Sequence, residues 1–176
     1  MKKVLATHFV FTLAFFILFS VYRNWLNISF VPLWWGAVLG MILPFTDYLI
    51  YVYVLKPKDT VSQKVVEAVS QKGITKASDM LMAKLADRKG LLMHNASFQF
   101  VFLIFAIWMV TSGSLLGMGL VLAFMLHLVL DQIMDLVELK NIDDWFVGFP
   151  LNLDYNQKRW FVTANAVVFI FLGFFF

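Results

Sequence analysis

Residues 122 to 136, LAFMLHLVLDQIMDL, read as a hydrocarbon-compatible helix interrupted by His127, Asp131 and Asp135. With its flanks the apolar run covers 115 to 137, and at 1.5 Å per residue that length crosses a bilayer core of about 30 Å. A carboxylate in the middle of such a helix opposes insertion by roughly 2.5–3.5 kcal/mol. Ionisable groups at this depth therefore face a bundle interior or a wet cavity. His127 and Asp131 lie at i and i+4 and share one helical face, as two ligands of one ion, or a ligand and its orienting partner, must. Asp135 continues that face less closely and is expected near the interface, in an ordinary role.

The rest of the chain extends the pattern. Of 176 residues, 61% are hydrophobic and 20 are phenylalanine, with a mean hydropathy of +0.81. That is more apolar material than a soluble domain of this size can bury. Further apolar runs at 4–22, 31–55, 95–112 and 160–176 predict about five transmembrane helices in one all-α integral membrane bundle over 1–176. The first run follows Met1-Lys2-Lys3 like a secretory signal, but RNWLNISF beyond it offers no small-x-small cleavage site, so a retained helix is expected. Segment 56–90 is polar and reads as a cytoplasmic insertion of two amphipathic helices. Asp59 or Thr60 would cap the first, with Val61, Val65, Val66 and Val69 on one face and Gly73 at its end. The second, near 78 to 88, would lie on the membrane surface as a solvated helix, a lid or a dock for anionic lipid.

Lysine and arginine predict the orientation. With the N-terminus in the cytoplasm of a multi-pass inner (plasma) membrane protein, 13 of the 14 basic residues fall inside, and only Arg23 falls outside. Gly113 and Ser114 then form an external hairpin. Trp25, Trp34, Trp35, Trp145 and Trp160 fall at predicted span ends, where aromatic belts are expected.

This topology, drawn from basic residues alone, puts five other residues in the cytoplasmic half of the bilayer. They are His8 in the first span, Asp47 in the second, His94 at the start of the third, and His127 with Asp131 in the fourth. Each has a structural explanation taken singly: Asp47 hydrogen-bonded to a neighbouring helix, for instance, or His127 and Asp131 as an interhelical pair. One shared polar site accounts for all five together. With no cysteine in the chain, disulfides, thiolate ligands and a cysteine nucleophile are excluded. Imidazole and carboxylate suit a divalent metal, zinc first, with manganese and iron as further fits. Three such ligands with an open position can hold an activated water.

The order of these residues resembles the bacterial and archaeal family of membrane-bound metal-dependent hydrolases, the LexA-regulated inner-membrane hydrolase type. Those chains carry an early histidine, a PDxD element, an HRGxTHS element and HLxxD followed by a PLxxP-like segment. The counterparts are ATHFVF with His8, LPFTD with Pro44 and Asp47, GLLMHNASF with His94, LHLVLD with His127 and Asp131, and FPLNLDYNQKRW. Phe45 stands where the family has the first aspartate of PDxD, a basic residue replaces the first histidine of HRGxTHS, and Asn95 replaces its serine. The resemblance implies metal-dependent hydrolysis of a phosphoester, and these departures leave a single-metal site or an inactive relative.

The function expected is thus hydrolysis of a lipid phosphoester from the cytoplasmic leaflet, with metal ligands His8, Asp47, His94, His127 and Asp131. Asp47 or Asp131 would be the catalytic base. The rivals are a non-catalytic membrane subunit whose polar cluster holds helices together, and a haem b or proton-transfer protein using two of the histidines. Membrane lipids are the expected partners, with a second copy or another membrane protein as further candidates, and nucleic acid is not expected.

Overall fold

The computed structural model describes residues 2–72 and 90–176, which contain helices and turns and no strand. Six α-helices follow in order: α1 (Lys2–Tyr22), α2 (Val31–Ile50), α3 (Thr60–Lys72), α4 (Ala96–Thr111), α5 (Leu115–Met134) and α6 (Tyr155–Phe175). The all-α bundle expected from the apolar runs is the fold observed. Helices α2 and α5 run on through π-helical turns, Tyr51–Leu55 and Asp135–Leu139. Such wide turns within helices are frequent at functional sites; these two directly follow the stretches that carry Asp47 and Asp131.

Among the described residues, four stretches are long and apolar enough to cross a membrane: Leu5–Tyr22, Ile28–Leu55, Leu115–Glu138 and Tyr155–Phe175. The remaining predicted span, 95–112, is the 16-residue apolar helix α4, about 24 Å long and so short of a 30 Å core. It starts late because Asn95 caps it, accepting from the Ser97 amide at 2.8 Å, and the residues before Asn95 are drawn into a loop. Helix α6 starts at Tyr155, five residues before the predicted 160. There Asp154 accepts from the Gln157 amide while Gln157 accepts from the Asp154 amide, a reciprocal cap that adds a polar first turn to the apolar run.

Helix α5 is the axis of the bundle. In its 18-residue apolar window 72% of residues are buried, against 22–28% in those of the other three. Its largest contact is with α2. A β-carbon on Gly36 or Gly40 would collide with the carbonyl of Leu116 or Leu120, and one on Gly119 with the carbonyl of Leu33. Small residues four apart let two backbones approach this closely in a membrane. Around this seam pack Leu33, Ala37, Val121 and Leu122, joined by Phe16 and Phe19 from α1 and by Phe169 and Leu172 from α6. The outer faces are apolar and exposed, with Val10 and Leu18 on α1, Val101, Ile104 and Trp108 on α4, and Phe175 on α6. An apolar surface this extensive fits contact with lipid chains.

Helix α3 lies beside the π-turn of α2, where Val65 is buried against Tyr51, Val52 and Leu91, with Val61 at the margin. The predicted stripe needs correction, because Val66 and Val69 are exposed and Ser62, Val65 and Ala68 form the buried face. Gly73 and the second amphipathic helix lie outside the described residues. The turn at Gly113 and Ser114 forms as expected: Gly113 takes a φ of +77°, a conformation glycine adopts without strain, and Ser114 caps α5.

Candidate metal centre

Alternation of the helices brings the start of α1, the end of α2, the loop before α4 and the end of α5 to one end of the bundle. All five predicted site residues are buried there. Asp131 is the hub. Its Oδ1 lies 3.1 Å from His8 Nε2, and its Oδ2 lies 3.2 Å from His94 Nε2 and 3.3 Å from His127 Nε2. The imidazoles of His8 and His127 face each other with centroids 4.2 Å apart.

His8, His127 and Asp131 form the set that could hold a metal ion, each offering a ligand atom, all within 4.8 Å of one another. Two ligands bound at 2.0–2.1 Å to a tetrahedral ion lie roughly 3.3 Å apart, close to the nitrogen–oxygen separations found here. His127 Nδ1 is buried and has no hydrogen-bond partner among the described residues. Such an atom costs about 1–3 kcal/mol when nothing compensates it; an ion held through Nε2 leaves that cost in place, and only one held through Nδ1 would remove it. Donor chemistry and the spacing of the Nε2 atoms about Asp131 fit a divalent cation, and two imidazoles with one carboxylate recur at zinc and non-haem iron sites.

The structure places Asp47 and His94 beside this set. Asp47 Oδ1 accepts from the Leu92 amide at 2.8 Å, and Oδ2 accepts from the Met93 amide at 2.7 Å and the His94 amide at 3.3 Å. Asp47 Oδ2 also meets His94 Nδ1 at 3.0 Å. The aspartate thus folds residues 92–94 around itself and fixes the ring of His94, whose other nitrogen reaches Asp131. Carboxylate, imidazole and carboxylate run in line from α2 to α5. Phe45 forms an apolar wall, its ring edge-on to His127 at 5.3 Å between centroids.

Two residues expected to be ordinary are also built into this end. Asp135 and Trp145 are 7% and 1% exposed, both turned into the protein. The Trp145 indole N–H donates to Asp135 Oδ2 at 2.7 Å, and its ring lies 5.6 Å from that of His94. The short helical turn Asp143–Phe146 carries Trp145 over the centre. Asn95 secures this cover by donating to the Val147 carbonyl at 2.8 Å. Asp135 sits one turn beyond Asp131, which was a usable signal; nothing local marks Trp145.

A second buried cluster also went unpredicted. Gln132 donates to Gln99 Oε1 at 2.6 Å, and Asn165 donates to Gln99 Oε1 at 3.1 Å and Gln132 Oε1 at 3.3 Å, joining α5, α4 and α6. Three amides inside apolar helices are a pattern visible in the sequence, but one that residue-by-residue attention to charge passes over.

No protein-family model, no curated protein and no solved structure matches this chain. What the centre can do is therefore judged from its own atoms.

Proposed function

We propose that the chain is a membrane-embedded, metal-dependent hydrolase acting on lipid phosphoesters, with one divalent ion, zinc in the first instance, held by His8, His127 and Asp131. The observation that carries this reading is the convergence of two imidazoles and one carboxylate from α1 and α5, all buried within 4.8 Å. When bound, such an ion polarises a phosphoryl oxygen and lowers the pKa of a water. The chain's own groups then handle the proton. One oxygen of Asp131 would hold the ion, and the other would take the proton of the attacking water as the water oxygen bonds to phosphorus. The phosphorus–oxygen bond to the leaving alcohol breaks, and the proton passes to the departing alkoxide, leaving a phosphate monoester and an alcohol. His94 steadies Asp131, and Asp47 steadies His94, an outer-shell arrangement that tunes ligand orientation.

The distribution of lysine and arginine supports a cytoplasmic N-terminus, with the centre in the cytoplasmic half of the inner membrane. A haem is disfavoured, because rings 4.2 Å apart leave no gap for a porphyrin between His8 and His127 and both nitrogens of His94 face carboxylates. A second reading, a polar knot that holds helices without an ion, draws support from His94 bridging Asp47 and Asp131. The deciding experiment offers metal-loaded protein both phospholipids and simple phosphodiesters. Turnover that falls at least about 100-fold in Asp131→Asn is expected; no turnover above that variant overturns the hydrolase reading.

A further inference from the structure

A crevice of about 70 Å³ lies between α1 and α2, several times the space one water-sized group needs. Phe9, Thr12 and Phe16 line one wall and Trp34, Ala37 and Met41 the other. Thr12 supplies the one hydroxyl in a largely apolar lining; it is 6% exposed, and its hydroxyl has no hydrogen-bond partner among the described residues. A buried hydroxyl without a partner is a cost that an acceptor inside the crevice would remove. The crevice also lies within one helical turn of the metal centre along both helices. Thr12 sits one turn, about 6 Å, along α1 from His8, and Met41 one turn along α2 from Phe45, whose ring touches His127.

Resting on the hydrolase reading and deepening it, we propose that this crevice seats the ester end of one acyl chain of a glycerophospholipid, its carbonyl and first few carbons, with the rest of the chain lying along the exposed outer faces. The Thr12 hydroxyl donates to the ester carbonyl, and the headgroup phosphate points back towards His8. Three observations select this occupant. The mouth is lined by Phe9 and Val38, 54% and 48% exposed on faces that fit lipid chains, so hydrocarbon is the medium that fills it. The buried Thr12 hydroxyl can donate, a capacity that a fatty chain alone would leave unmet and an ester carbonyl satisfies. Thr12 stands one helical turn from His8, in a site whose chemistry suits a phosphoester.

Native mass spectrometry of the full chain in detergent, with metal removed by chelator, tests the seat apart from any hydrolysis. The protein is equilibrated with dioleoyl phosphatidylethanolamine or with its ether-linked analogue, which lacks the carbonyl. Retention of about one ester lipid per chain, favoured about five-fold over the ether, is expected, the factor one neutral hydrogen bond provides. Thr12→Val, close in shape, abolishes that preference, Ala37→Phe lowers retention of both lipids about ten-fold by filling the space, and Val10→Ala on the outer face changes neither. Equal retention of ester and ether by the unaltered protein, or full retention by assembled Ala37→Phe, overturns the proposal. Should Ala37→Phe fail to assemble, the ester-to-ether ratio in Thr12→Val decides alone. Loss of the hydrolase reading would leave these ratios unmoved, so the two failures are distinguishable.

Discussion

Asp131 and Gln132 are consecutive on α5, both are buried, and each is the hub of a polar cluster, but the clusters differ in kind. Gln132 meets Gln99 and Asn165, neutral amides that supply donors and acceptors to one another across three helices. Asp131 meets three imidazoles, with His127 leaving a buried nitrogen unpartnered among the described residues. The first set has what interhelical adhesion requires and offers nothing an ion would prefer. The second concentrates ligand atoms and covers them with Trp145. Burial of polar groups is thus common to structure and chemistry; the type of donor, and what is left unmet, tells them apart.

The largest expected effect breaks the ionisable side of this comparison. Asp131→Ala removes the carboxylate that three histidines face, and ion affinity should fall at least about 1000-fold, well beyond the 10–100-fold typical of outer-shell losses; titration with zinc in detergent measures it. Asp47→Asn comes next. It puts an amide donor against the amides of Leu92 and Met93, and should lower stability by roughly 3 kcal/mol, read from chemical unfolding, with about ten-fold weaker ion binding. Wild-type stability in Asp47→Asn would refute its role as loop anchor.

The adhesive side should respond differently. Gln132→Leu is expected to lower stability by about 1–2 kcal/mol while leaving ion binding intact, and a drop in ion affinity there would erase the distinction between the clusters. Trp145→Phe should be smallest. Losing its hydrogen bond to Asp135 should weaken ion binding only about three- to ten-fold and leave circular dichroism unchanged; an unchanged affinity would make the cover irrelevant to the centre.

The bundle was legible because hydropathy and helix length are properties of local sequence. The five centre residues were legible for the same reason, since His8, Asp47, His94, His127 and Asp131 are costly where they sit. Their division of labour was not. Asp47 meets backbone amides 45 to 47 positions away, and a backbone amide carries no mark in a residue type. Trp145 had the signature of an interfacial anchor, and only the fold turns it inward onto Asp135. The amide cluster escaped because glutamine and asparagine signal less cost in an apolar run than a formal charge does. The close α2–α5 seam was written in Gly36, Gly40 and Gly119, residues whose meaning appears only once two backbones are seen in contact.

The central claim is that an ion occupies the centre built on Asp131 and none belongs to its neighbour Gln132. Elemental analysis of detergent-purified protein tests it directly. About one divalent ion per chain is predicted in the unaltered protein and in Gln132→Leu, falling below roughly a tenth in His127→Ala, a loss of one of three ligands. Ion content that is absent from all three, or equal in all three, would contradict the account.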